Sequence, residues 1–137
     1  MKTLKLYFIA LLLITVVNFV NRRLIKQKNG TLDGYDRSEA FALDVFAAYN
    51  YRTFWKRYLT DGSPGAYWPK EYGETVSSAL GENILRGTQS KPGRTGRIAS
   101  WFHGEMLSRI LNRAFKEPAH CIDARRAYVQ KKYTDKP

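Results

Sequence analysis

Fifteen uncharged residues, 6–20 (LYFIALLLITVVNFV), open the hydrophobic pattern of the chain, interrupted only by Thr15 and Asn18 and preceded by Lys2 and Lys5. The run is shorter than the roughly 20 residues that cross a bilayer comfortably. Lys5 on one side and Arg22 and Arg23 on the other can snorkel through the apolar boundary, which makes residues 4–25 an adequate span. A cleaved signal peptide needs small residues in an A-x-A pattern, yet the sequence continues ITVVNFVNRRLIKQ with Arg22, Arg23, Lys26 and Lys28 directly after the apolar stretch. The expectation is an uncleaved, single-pass signal-anchor at residues 1–28, with a basic flank. A cleaved signal and a buried or interfacial helix are the competing readings. Positive-inside bias sets Lys2, Lys5 and the amino terminus against Arg22, Arg23, Lys26 and Lys28. The margin is one charge and leans the folded part toward the cytoplasm, although a short tail with two lysines also begins N-in, C-out anchors.

Asn29-Gly30 and Asp33-Gly34 are turn dipeptides, so residues 29–35 read as a linker. Asp36 and Glu39 have capping-box spacing, and Phe41, Val45, Ala48, Trp55 and Leu59 recur on one face, predicting a helix over 37–59. Tyr49, Tyr51, Phe54 and Tyr58 widen that face. The Pro- and Gly-rich stretch at 61–73 predicts an aromatic loop around Tyr67 and Trp68, followed by a short helix at 75–86. After a flexible loop at 87–96, a helix over 97–115 is expected to bury the row Phe102, Met106, Ile110 and Ala114. Pro118 then breaks the pattern, and a last helix runs over 119–133. The expected fold is mainly α: a single N-terminal transmembrane helix and a domain of three to four helices at 36–133 with an aromatic loop, ending in a polar tail at 134–137.

Composition adds charge to this picture. The net charge of +11 is concentrated at the two ends: +6 over residues 1–30, −2 over 31–80 and +7 over 81–137. A basic end beside an anchor suits anionic lipid head groups or nucleic acid, while a solvated surface is the plainer reading. Arg109, Arg113 and Lys116 share one outer face, and Arg125 and Arg126 follow on the last helix, so these five are the candidate binding residues. Cys121 is the only cysteine, which excludes an intramolecular disulfide and a multi-Cys zinc site.

Chemistry-bearing residues are sparse. Residues 87–95 (GTQSKPGRT) miss phosphate-loop spacing and have no strand signal before them. His103, Glu105, His120, Cys121 and Asp123 are metal-ligand types, but His103 and Glu105 lie two apart on a helix and adjacent His120 and Cys121 do not aim at one ion. No metal and no cofactor is expected. Neighbouring arginines and a helix start would lower the Cys121 pKa toward a reactive thiolate, against the common reading of a buried small hydrophobe. Glu74, Ser77 and Ser78 form a dense polar cluster, readable as a site or as helix capping.

Gly65-Ala66-Tyr67-Trp68-Pro69, then Gly73-Glu74-Thr75-Val76-Ser77-Ser78-Ala79-Leu80-Gly81-Glu82-Asn83, a basic loop with Gly93 and Gly96, a helix and finally His120-Cys121 resemble a family of small phage and prophage proteins of unsettled function. The resemblance covers about residues 43–124. It departs at Gly73, where the family commonly has Asp, and in lacking a Tyr shortly after His-Cys. It implies a prophage origin in bacteria, hence the inner membrane, and marks Glu74, Thr75, Ser77, Ser78, His120 and Cys121. Three functions are expected in order. The first is a non-enzymatic accessory protein, in one version lysis-associated, that binds anionic lipid or a membrane or phage protein. The second is a hydrolase using Cys121 or a serine with His120 or Glu74. The third is a membrane-tethered nucleic-acid binder, which is not favoured. Glu74, Ser77 or Ser78 is expected near His120-Cys121, with capping preferred over catalysis.

Overall fold

A computed structural model describes residues 2–92 and 102–134. Their helices, in chain order, are α1 (Lys2–Asn29), α2 (Asp33–Asn50), α3 (Arg52–Leu59), α4 (Val76–Arg86), α5 (Gly104–Phe115) and α6 (His120–Thr134). The fold is mainly α. Among the described residues the only β pairing is an isolated antiparallel bridge between Thr60 and Gln89. The chain divides into two compact units, Met1–Ala40 and Phe41–Pro137.

In the first unit α1 is long and apolar enough to cross a membrane. Its polar interruptions are satisfied: the Thr15 hydroxyl donates to the Leu11 carbonyl at 2.8 Å, and Asn18 Oδ1 accepts from the Tyr35 hydroxyl at 2.7 Å. The irregular segment is shorter than the expected linker, covering only residues 30–32. Thr31 Oγ1 accepts from the Asp33 N–H, so α2 begins ahead of the predicted capping box, and the Asp36 carboxylate pairs with Arg22 instead.

The second unit is built around α4, in which Val76–Gly81 and Asn83 are all buried. Its ends are well defined. Thr75 Oγ1 accepts from the Ser78 N–H at 3.1 Å, and Gly87 adopts a left-handed φ of 69° that an L side chain resists. Ala48, Leu59, Trp68, Val76, Ala79, Leu80 and Cys121 form the core. Complete burial of Leu59 and of Leu80 contributes about 1.5–3 kcal/mol each.

Two helix expectations are corrected. The predicted single helix over 37–59 breaks at Tyr51, because the Trp55 and Trp68 indoles donate to the Ala47 and Ala48 carbonyls at 3.0 and 2.9 Å. Those two carbonyls lie in the last turn of α2, and that of Ala47 also accepts from the Tyr51 N–H at 3.0 Å, so the indoles add donors where the helix ends. The predicted helix over 97–115 starts instead at Gly104, after an extended His103 whose Nδ1 accepts from the Met106 N–H at 3.1 Å. Residues 97–101 lie outside the described ones. The buried face of α5 also differs: Gly104 and Ser108 are buried, with Leu107 and Leu111 packed on the core, while Ile110 and Ala114 are exposed. Gly104 decides this, since a Cβ there would meet the Leu59 carbonyl and the Gln89 side chain. The closest approach therefore follows the small residues rather than the large apolar row.

Candidate functional site

The polar residues singled out from sequence converge on the seam between α4 and α6. Gly81 creates that seam, because a Cβ at this position would overlap the Cys121 carbonyl. Only glycine lets the two backbones approach so closely. Along the seam the Glu74 carboxylate, 1% exposed, accepts from three donors: the Tyr67 hydroxyl at 2.6 Å, the Ser78 hydroxyl at 2.7 Å and Arg125 Nη1 at 2.9 Å. Arg125 Nε donates to Glu82 Oε2 at 2.7 Å, and Glu82 Oε1 accepts from Arg86 Nε at 2.6 Å. The Arg125 guanidinium also lies 4.9 Å from the centre of the Tyr67 ring.

Charge balance within this network is visible in its pKa shifts. Burial opposes ionisation of Glu82, yet the Arg86 hydrogen bond and the charges of Arg125 and Arg86 outweigh it and lower the pKa. Burial likewise opposes the charge on Arg125, and Glu74, Tyr67 and Glu82 more than offset that, raising it. Burial and the Glu74 carboxylate push the Tyr67 phenol up to about 12.

Beside this network Asn83 uses both faces of its amide. Oδ1 accepts from the Tyr67 N–H at 2.9 Å and the Thr88 hydroxyl at 2.8 Å, while Nδ2 donates to the Tyr67 and Ala79 carbonyls at 2.7 and 2.8 Å. The aromatic loop is thereby bonded to α4 as firmly as a helix would be to itself. At the start of α4, Asp44 Oδ1 accepts from the Val76 N–H at 2.9 Å and also bonds Ser77. Burial raises the Asp44 pKa despite these bonds and the nearby His120. Ser90 performs a similar service elsewhere: its hydroxyl donates to the Tyr58 carbonyl at 2.6 Å and accepts from the Gly104 N–H at 2.7 Å, joining the end of α3 to the start of α5.

Cys121 is a buried small hydrophobe of the core, as the commoner reading of a lone cysteine has it, and not a reactive thiolate. Instead of lowering its pKa, the surroundings push the thiol up to about 12, because burial desolvates it and the Asp44 carboxylate adds a negative charge. Arg125, whose charge was expected to help, is turned to Glu74 and Glu82. His120 is occupied as well: its Nδ1 is 2.7 Å from Glu117 Oε2 and its ring stacks on Phe115 with centroids 3.9 Å apart.

The structure therefore brings Glu74 and Ser78 to Arg125, one helical turn beyond Cys121, and Ser77 to Asp44. It spends Arg125 internally rather than on a ligand. Arg109 and Arg126 are exposed but face Glu105 and Asp123 at 2.5 and 3.5 Å, and Arg113 and Lys116 are exposed. No group of His, Cys, Asp and Glu among the described residues is arranged to hold a metal. Tyr67, Glu82, Asn83, Asp44 and Ser90 escaped attention as site residues. Glu82 and Asn83 stand in the quoted motif, whereas the roles of Asp44 and Ser90 depend on contacts across 32 residues of sequence.

The class defined by this geometry is a small helical domain with a closed buried ion-pair network, preceded by one helix apolar enough to cross a membrane. Comparison with protein-family models, curated proteins and solved structures finds no match.

Proposed function

We propose that the protein is a non-enzymatic, membrane-anchored accessory protein whose basic domain binds anionic lipid. The observation that carries this reading is the saturation of Glu74: three donors surround a carboxylate with almost no solvent access, so it has no free edge to serve as a general base. Ser78 spends its proton on the same carboxylate, Ser77 is buried against Asp44, and Cys121 is held as a neutral thiol. A nucleophile requires access as well as an adjacent base, and Ser77, Ser78 and Cys121 are all buried. The motif works instead as a fastener between α4, α6 and the aromatic loop.

Exposed cations are then the groups left for recognition, and α1 supplies the location. The bacterial inner membrane, with its anionic leaflets, is the corresponding surface, and a prophage origin with a lysis-associated role is the version suggested by the family resemblance. The test has two parts, both on the full chain in mild detergent. Iodoacetamide and a fluorophosphonate probe should leave the native protein unlabelled, and lipid extracted with it should be enriched in phosphatidylglycerol over the bulk membrane. Stoichiometric native labelling would overturn the non-enzymatic assignment, and absence of enrichment would overturn the lipid assignment.

A further inference from the structure

Two adjoining clefts, each of about 480 Å³, share Lys56, Trp68, Pro69 and Lys70. That volume falls in the range of small-ligand sites. The first is bounded by Arg52, Lys56 and Arg57 of α3 and by Lys70 of the aromatic loop, with Trp68 and Pro69 as its apolar part and no acidic residue among its lining. The second continues past Tyr67 to Tyr128 and Lys132 of α6 and contains Glu71 and Glu74.

Four cations around one concavity with no acid among them set the first cleft apart. Arg86, Arg109, Arg125 and Arg126 each face a carboxylate within 3.5 Å. Among the described residues Lys56, Arg57 and Lys70 have no such partner, and Arg52 lies over the Tyr49 ring at 5.3 Å. Four like charges around one concavity repel one another, and a bound anion removes that cost. The position is fixed by structure, since Trp68 and Pro69 are buried and the Trp68 indole is bonded to α2.

We infer that this groove binds the head group of an anionic phospholipid carrying one phosphodiester and a neutral hydroxylated remainder. The phosphate belongs among Arg52, Lys56, Arg57 and Lys70, with the buried Trp68 and Pro69 as the fixed floor of the groove. The hydroxyls belong in the second cleft, where Tyr128 and Glu71 offer donor and acceptor groups. Glu71 and Glu74 disfavour a second phosphate there, which separates a lipid head group from the continuous polyanion of a nucleic acid. The inference rests on the lipid-binding reading above and specifies its site.

The experiment is native mass spectrometry of the full chain in detergent, titrated separately with phosphatidylglycerol, phosphatidylcholine and a short single-stranded oligonucleotide. Phosphatidylglycerol should bind best. The exposed double variant Lys56→Gln/Lys70→Gln should lose about 30-fold in that affinity, the effect of removing two cations from an anionic surface. The control Lys91→Gln/Lys131→Gln, two exposed cations outside the groove, should stay within about twofold, and circular dichroism should show both variants folded. If wild type prefers phosphatidylglycerol but the groove variant binds it equally well, or the control loses as much, the groove is overturned and the broader reading stands. If wild type shows no preference for phosphatidylglycerol, both fall. Oligonucleotide binding as tight as lipid binding and lost in the same groove variant would overturn the lipid assignment.

Discussion

Arg125 on α6 and Glu74 ahead of α4 are 51 residues apart in sequence, yet Arg125 Nη1 donates to Glu74 Oε1 at 2.9 Å. The same guanidinium reaches Glu82 through Nε, so one side chain holds an acidic residue just ahead of the buried helix and another within it. Such pairs add little over a well-packed apolar seam, but losing one partner strands the other without solvent.

Replacement of Arg125 by Met should therefore destabilise the domain by about 3–5 kcal/mol, the usual cost of orphaning a buried charge. Glu74→Gln/Arg125→Met should be less destabilised than the sum of its single variants, because the stranded carboxylate has been removed. Urea unfolding of the full chain in detergent, followed by circular dichroism, measures all three. Strict additivity would show that the ion pair contributes no coupling.

Gly81→Ala provides an independent check of the α4–α6 seam. The added methyl meets the backbone of Cys121, which cannot swing aside, and the expected loss is about 1–3 kcal/mol from overpacking, alongside faster alkylation of Cys121. Gly81→Ser should be worse. Unchanged stability and unchanged thiol reactivity in the alanine variant would contradict the close approach.

Alkaline pH should weaken the fold through two groups of the same seam. Cys121 rises from 9.0 to about 12 and Tyr67 from 10.0 to about 12. Both keep their protons in the folded state where the unfolded chain has lost them, so stability is full below pH 9 and falls between pH 9 and 12. Cys121→Ala and Tyr67→Phe should each flatten that fall. Glu82 has the opposite sign: its lowered pKa contributes stability above 4.5 that disappears as pH drops through the folded value, and Glu82→Gln should lack that limb. Denaturant midpoints across the pH range give the slopes directly.

If α1 spans the bilayer, alkaline carbonate should leave the protein in the membrane pellet. Leu12→Asp/Val16→Asp should move it to the supernatant, since each carboxylate near the centre of a span costs about 2.5–3.5 kcal/mol. Recovery of the wild type in the supernatant would refute the anchor.

Periodic apolar spacing and strong punctuation made most of the helical layout legible. Leu6 to Val20 marked α1, Pro118 separated α5 from α6, and the Pro- and Gly-rich stretch marked the loop before α4. The break at Tyr51 is hidden in the sequence because the Trp55 and Trp68 indoles bond the end of α2 there, Trp68 from 20 residues away, and no residue at 50–52 is a strong helix breaker. The buried face of α5 is not legible from its large side chains, because Gly104 and Ser108, the small ones, govern how closely the backbones approach. For the site, sequence identified which polar residues matter but not their state. Glu74 looks like a reagent in one dimension, and only the simultaneous presence of Tyr67, Ser78 and Arg125 makes it a structural acceptor. For Cys121 the sequence offers neighbouring arginines, whereas the charge that acts on it comes from Asp44, 77 positions earlier in the chain.

The break at residues 30–32 has a consequence for how weakly the groove can bind and still be occupied. Only three residues separate the end of α1 from α2, and Tyr35 and Asp36 are already bonded back to Asn18 and Arg22. When α1 is inserted, covalent attachment keeps the domain on the membrane that holds the lipid it would recognise, and capture becomes a local event. Short tethers commonly supply effective concentrations on the order of millimolar. A head-group site with only millimolar intrinsic affinity would then be about half filled, and would empty on cleavage of the tether without any change in the groove itself.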